Sequence, residues 1–284
     1  MYLPLSQDGD PCSAFLAALP GRRLALEDQK SGVHPVQAIG PRWRAFGTSL
    51  GQLVARIEAL NLCIEPDGDE AMEAFRRMLY DTTELFDVYA NLLPKGIAPG
   101  NAREREAHRE FEKASTRLRG PWATICNQCK HQSAQLHFLW GTSDGVSCPR
   151  FLVCVYRDGN SLIRDEVVHK KKMGGIGLVR ATQELLHALF RIDIRAGKLI
   201  DAMADRACDA IPSFAAELPI GACARRAAAL PVTIYSDEPV LHDGIVFSAN
   251  RLELTRVGAT RLANPVQVRA KVHIEPLTRH FSIA

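Results

Sequence analysis

Apolar residues in the N-terminal half of the chain recur at three- and four-residue steps, which is the period of an amphipathic helix. The first such stripe consists of Trp43, Phe46, Leu50, Leu53, Ile57 and Leu60. The second stripe follows the turn formers of residues 65–69 and consists of Met72, Phe75, Leu79, Thr82, Phe86, Tyr89 and Leu93. Pro94 and Gly96 end it. The pattern predicts two long helices that pack by their apolar sides in a bundle.

The residues around these two stripes predict an arm and two further helices. Turn formers crowd residues 1–40, which predicts an irregular N-terminal arm. Arg103–Arg119 is highly charged with a narrow apolar side, as expected of a helix on the outside of a bundle. Gly120 and Pro121 predict an interruption, after which another helix is expected from Pro121 to His137.

The period of the pattern changes after residue 147. Two segments, Cys148–Tyr156 and Ser161–His169, flank Asp158-Gly159-Asn160 and predict a β-hairpin. A long amphipathic helix is expected from Leu178 to Cys208. Further strands are predicted at Val232–Tyr235, Gly244–Phe247, Arg251–Val257 and Val266–Ile274.

This order of elements predicts an α+β fold: an N-terminal helical bundle with a β-hairpin, a long helix and a β-rich C-terminal segment. The predicted parts are the arm over residues 1–40, a mainly helical domain over residues 41–209 with the hairpin near 148–169, and a β-rich part over residues 210–284.

Composition narrows the class of protein. The chain has 284 residues, of which 46% are hydrophobic and 24% charged, the balance of an ordinary globular protein. A net charge of +3 means that any nucleic-acid surface has to be a local basic patch. No apolar run is long enough to span a membrane, and Asp8 and Asp10 stand where a signal peptide carries basic residues. The eight cysteines are scattered, which predicts reduced thiols and a cytoplasmic location.

Candidate chemistry concentrates in residues 122–137. On a helix, Asn127 and His131 are four residues apart, as are Cys126 and Lys130, so the two pairs are expected to share a side. Lysine, histidine and asparagine side chains could together bind an anion, and histidine could act as an acid or a base near neutral pH. In the alternative interpretation, Asn127 and His131 form hydrogen bonds to a neighbouring loop and hold the helix in place.

The spacing of Asn127 and His131 resembles the HEPN superfamily of helical-bundle proteins, in which R-N-x-x-x-H on one helix forms a metal-independent ribonuclease site. Here Cys126 stands where the family has arginine, so the cation that stabilises the transition state is missing. The resemblance implies a non-enzymatic interaction or nucleic-acid-associated module, in a bacterial defence or toxin–antitoxin setting. A protein or nucleic-acid partner and a homodimer are expected with it. The alternative is an endoribonuclease that uses His131, Lys130 and Asn127.

Four other patterns in the sequence bear on possible sites. Cys126-x-x-Cys129 with His131 and His137 has no second ligand pair of short spacing, so no metal and no cofactor is predicted. A zinc-stabilised structural protein, with Cys148 and Cys154 completing the ligands, is the third hypothesis. The lysines before the glycine turn at 174–177 could bind a phosphate or a nucleic acid at a helix N-terminus; they are Lys170, Lys171 and Lys172. Arg164 and His169 are expected on opposite faces of a strand, and Arg180 and His187 are expected to pack in a helix.

Overall fold

The computed structural model of the protein describes residues 35–61, 68–96, 100–143, 146–157, 161–170, 174–203, 220–232, 244–248 and 251–255. The described helices are α1 (Pro35–Asn61), α2 (Gly68–Gly96), α3 (Ala102–His131), α4 (Glu166–His169), α5 (Leu178–Ala202) and α6 (Gly221–Ala229). The described strands are β1 (Gln135–Ser143), β2 (Val146–Arg157), β3 (Ser161–Arg164), β4 (Ile176–Gly177), β5 (Gly244–Ser248) and β6 (Arg251–Thr255). The predicted α+β class is confirmed.

Four long helices form the bundle: α2 packs against α1, α3 and α5, and α3 also packs against α5. A buried polar chain joins three of them. The Trp43 indole N–H donates to the Tyr89 hydroxyl over 3.1 Å, and that hydroxyl donates to the Asp193 carboxylate over 2.6 Å. The Trp43 ring also stacks on Phe190, with 5.9 Å between the ring centroids. Buried polar groups are costly unless they are hydrogen-bonded. The two hydrogen bonds that link Trp43, Tyr89 and Asp193 therefore favour one arrangement of α1, α2 and α5.

The first helix begins earlier than the sequence pattern predicts. Residues 35–40, which the prediction assigns to the irregular arm, belong to α1. Pro35 is compatible with this start because proline in the first turn has no helical hydrogen bond to lose. Ile39 is fully buried and extends the apolar stripe of Trp43 by one turn. The rest of the predicted arm, residues 1–34, lies outside the described residues.

The predicted break at Gly120 and Pro121 is wrong, since α3 is one helix from Ala102 to His131. Pro121 is exposed, so the Arg117 carbonyl that loses its N–H donor there can be hydrated. The helix also ends six residues before the predicted His137. Ser133 adopts a left-handed conformation with φ of 56°, and the Ala134 N–H donates to the Gln128 carbonyl over 3.1 Å. The chain then enters β1, a strand that the sequence analysis missed.

β2 is the central strand of the main sheet. It pairs antiparallel with β1 along one edge, and with β3 and β4 along the other. The predicted hairpin is therefore confirmed between β2 and β3. Phe151 of β2 is fully buried, and its ring centroid lies 4.7 Å from that of Phe75 in α2. This contact attaches the sheet to the bundle.

α5, β5 and β6 follow the sequence prediction closely, whereas α6 is a helix that the pattern did not predict. α5 begins at the predicted Leu178, and its described part ends at Ala202, with residues 204–208 outside the description. β5 and β6 form a separate antiparallel pair at the predicted place, and β5 packs against α5 and α6. The predicted strand at Val266–Ile274, like most of Val232–Tyr235, lies outside the described residues.

The second half of the predicted strand Ser161–His169 is instead the short helix α4. Asp165 caps it by accepting a hydrogen bond from the Val168 N–H over 2.8 Å. This turn directs His169 back toward the sheet, where its Nε2 accepts the Val153 N–H over 2.9 Å. Burial lowers the pKa of His169, and the nearby charge of Arg164 lowers it further. His169 is thus a neutral, buried acceptor for a backbone N–H of β2.

We expect this histidine to make the fold sensitive to acid. Its pKa in the folded protein lies below the unfolded value of about 6.5. As pH falls through that value, the unfolded chain therefore takes up a proton that the folded chain does not. The free energy of unfolding should fall from pH 7.5 to pH 5, with a contribution of at most about 1.4 kcal/mol per pH unit from His169.

His169→Gln should remove that part of the slope, because glutamine can accept the same N–H without titrating. Urea unfolding at several pH values measures it, and the difference at pH 8 gives the cost of the substitution itself. Burial also lowers the pKa of His137, so part of the slope should remain in the variant. An unchanged slope in His169→Gln would rule out this role.

Candidate functional site

The candidate residues Asn127, Lys130 and His131 occupy the end of α3, and all three are exposed. The opposite side of the helix is buried in the bundle. Its buried residues are Glu104, Phe111, Ser115, Trp122, Ile125 and Cys126. Packing of this side against α2 and α5 sets the rotation of the helix about its axis, so Asn127 and His131 face outward.

Cys126 lies on the core side of α3. It is 3% exposed, and its Sγ lies 3.2 Å from the Thr83 hydroxyl of α2. Successive helical residues are rotated by about 100°, so position 126 and the exposed positions 127 and 131 point in different directions. The expectation that Cys126 shares a side with Asn127 and His131 is therefore corrected. A side chain at position 126 contacts the bundle interior.

Lys130 is turned toward α2. Its Nζ lies 4.6 Å from the centroid of the Tyr80 ring, which is a cation–π contact. Its charge also acts on Asp81: burial raises the pKa of that carboxyl, while a hydrogen bond from Ser49 and the charge of Lys130 oppose the rise. Within the described part of the chain, no hydrogen bond or ion pair joins Lys130 to Asn127 or His131. The three residues are neighbours on the helix and do not form a connected cluster.

Two basic residues that the sequence analysis passed over extend the exposed side of α3. Lys113 and Arg117 are exposed and form no ion pair with any described residue. With Asn127 and His131 they fall within about 80° of one another around the helix and span about 27 Å along it. We refer to these four residues as the basic stripe. The sequence feature that could have indicated this basic stripe is the absence of any aspartate or glutamate from Lys113 to Ser143.

The cysteines of this helix are poorly suited to metal binding or nucleophilic chemistry. Burial, reinforced by the neighbouring Cys126, raises the pKa of Cys129 to about 11, so its thiol is protonated at neutral pH. Cys126 faces the core, whereas His131 faces solvent and His137 lies on β1. Among the residues that the structure describes, no group of three or more His, Cys, Asp or Glu side chains could hold a metal ion.

The two Arg–His pairs noted in the sequence, Arg164/His169 and Arg180/His187, occupy positions in the packed fold. Arg164 ends β3 and His169 ends α4, so the expectation that both lie on one strand is corrected. Arg180 and His187 are both buried in α5, as the packing interpretation expects. The Arg180 guanidinium donates to the Glu184 carboxylate over 2.9 Å one turn along the helix.

The lysine segment before α5 is described only at its first residue. Lys170 is exposed and has a left-handed backbone with φ of 52°. Lys171 and Lys172 lie outside the described residues. The phosphate-binding hypothesis for these three lysines therefore stays a prediction.

Comparison with known proteins yields no relative: no protein-family model, curated protein or solved structure matches the chain. The resemblance to HEPN proteins therefore stays a prediction that rests on Asn127 and His131. In the described part of the chain, no helix combines the length and the apolar character that crossing a membrane requires.

The placement of Cys126 generates a test with a matched pair of substitutions. Cys126→Arg would put a cation into the bundle interior without a partner, so it should lower the free energy of unfolding by about 3 kcal/mol or more. Asn127→Arg adds the same side chain at the exposed neighbouring position and should change it by less than about 0.5 kcal/mol. Urea unfolding of both variants measures the difference. Equal stability of the two variants would contradict the orientation of α3.

Proposed function

We propose that this chain is a non-enzymatic, nucleic-acid-associated module of HEPN-like type that binds the phosphate backbone of RNA through the basic stripe of α3. The observation that carries the proposal is the exposed pair Lys113 and Arg117, aligned with Asn127 and His131 over residues 113–131, a stretch of α3 that contains no aspartate or glutamate. A backbone contact of this kind needs cations and hydrogen-bond donors and does not need a defined pocket.

The charge state of the stripe supports binding to phosphates. Lys113 and Arg117 have no ion pair with a described residue, so binding a phosphate does not first require a carboxylate to be displaced. Arg119 differs, because it forms an ion pair with Asp87. Asn127 contributes an amide donor and His131 an imidazole, both of which can contact phosphate or base edges.

The surroundings of Asn127 and His131 support RNA binding without cleavage. Phosphoryl-transfer sites stabilise the transition state with a preorganised cation. Position 126, where HEPN proteins have arginine, faces Thr83 in the bundle. Lys130, one turn along the helix, is directed onto the Tyr80 ring. Among the described residues, neither position 126 nor Lys130 thus places a cation beside the exposed His131.

Fluorescence anisotropy with a labelled single-stranded RNA in EDTA tests the proposal. We expect salt-dependent binding, because each phosphate contact releases counterions. Arg117→Gln should weaken binding and reduce the slope of log affinity against log salt by about 0.7, the contribution of one contact to a single strand. The matched control is Arg44→Gln, which removes an exposed cation from α1, a helix that packs on α2 and α6. That control should bind RNA like the wild type.

The same samples, resolved on a denaturing gel, separate binding from cleavage. Intact RNA at saturating protein supports a non-enzymatic module. Cleavage that disappears in His131→Ala would instead establish the endoribonuclease that uses His131, Lys130 and Asn127. Equal effects of Arg117→Gln and Arg44→Gln would show that binding does not occur at the basic stripe.

A further inference from the structure

The C-terminal end of α3, which carries His131, lies beside the C-terminal end of β2. Gln135, the first residue of β1, pairs with Cys154, and the Ala134 N–H just before it donates to a carbonyl of the last turns of α3. Tyr156 lies two residues beyond Cys154 toward the end of β2, which is about 7 Å along the strand. Through these connections the Cα atoms of His131 and Tyr156 are no more than about 20 Å apart.

The ring of Tyr156 points away from the bundle. Side chains alternate across a strand, and those on the bundle side of β2 are Phe151, Val153 and Val155, which pack in or against the core. Tyr156 is 45% exposed, and it is the only exposed residue among the aromatic side chains that the structure describes. Within the described part of the chain, no other ring stacks on it. Its face is therefore available to a planar group of a ligand.

We infer that Tyr156 stacks on an unpaired base of a single-stranded RNA whose phosphates lie on the basic stripe. The inference rests on the proposed function and adds the substrate class to it, which is single-stranded rather than double-stranded RNA. Stacking uses the π-face that every base has, so it selects for an unpaired base and not for a sequence. In a duplex the same contact would first require a base to be unpaired and unstacked, which costs free energy.

The combination of a ring and a row of cations favours this ligand. Proteins bind single strands by following the phosphates with positive charge and by stacking bases on aromatic side chains. The basic stripe is about 27 Å long, and Tyr156 lies near its His131 end, so a strand of several nucleotides can reach both. A protein interface would need a larger apolar patch, whereas the other large apolar side chains exposed in the described part are only Val167 and Val232.

Fluorescence anisotropy of the full chain with three labelled ligands tests the inference. They are a short single-stranded RNA, a strand of the same length without bases, and a duplex. Tyr156→Ala should weaken binding of the single-stranded RNA by about tenfold, the loss expected for one stacked base. Its affinity for the other two ligands should stay within about twofold, because neither offers an unpaired base. Its salt slope should equal that of the wild type, since Tyr156 contacts no phosphate.

Two matched variants separate stacking from other effects of the substitution. Tyr156→Phe keeps the ring and loses only the hydroxyl, so it should bind the single-stranded RNA within about twofold of the wild type. Val167→Ala shortens an apolar side chain that is 58% exposed on α4, and it should also bind like the wild type. The thermal unfolding midpoint of each variant should match that of the wild type, because both positions are exposed.

Three outcomes would overturn the inference. They are single-strand binding by Tyr156→Ala that equals the wild type, the same loss in Tyr156→Phe, and the same loss with the strand without bases. Any of these leaves the proposed function standing if Arg117→Gln still weakens RNA binding and lowers the salt slope. If the wild type binds no RNA, or if Arg117→Gln has no effect, the basic stripe is contradicted and this inference fails with it.

Discussion

The burial of one side of α3 between α2 and α5 is the constraint on which the rest of the account depends. Trp122 and Ile125 are almost fully buried on that side, and each contributes on the order of 1.5–3 kcal/mol by leaving water. A rotation of the helix by one residue would expose these side chains and bury cations, which costs several kcal/mol more. Apolar packing therefore sets which residues of α3 are exposed, and only those positions are available for binding.

The sheet holds the C-terminal end of α3 in place. α3 closes at the left-handed Ser133, and only two residues separate its C-cap, Gln132, from the start of β1. β1 pairs with β2 over its whole length, and β2 is attached to the bundle through Phe151 and Phe75. Two connections thus limit the movement of the last turn of α3, where His131 lies. The small sheet supports a helix end and supplies none of the candidate residues itself.

Much of the fold could be predicted from the sequence because its strongest signals are local. The stripes that begin at Trp43 and Met72 predict α1 and α2, and Asp158-Gly159-Asn160 predicts the hairpin between β2 and β3. The end of α3 could not be predicted, because Leu136 continues the helical spacing of Ile125 and Cys129. What overrides that spacing is the pairing of β1 with β2, a contact with residues that come later in the chain.

Less of the candidate site could be predicted, for a related reason. A cysteine is compatible with either side of a helix, so the direction of Cys126 depends on Thr83, which lies 43 residues earlier. Proline signals a break more often than a continuation, so the sequence pattern divided α3 and separated Lys113 and Arg117 from Asn127 and His131.

α3 presents one side to the bundle, and we propose that its other side binds nucleic acid. The most direct test is an NMR titration of the isotope-labelled chain with a short single-stranded RNA, monitored by amide and side-chain resonances. We expect changes concentrated on the exposed side of residues 113–131, with those of Arg117 and His131 among the largest and those of Cys126 much smaller. Changes centred on a surface outside α3, or no changes at saturating RNA, would contradict it.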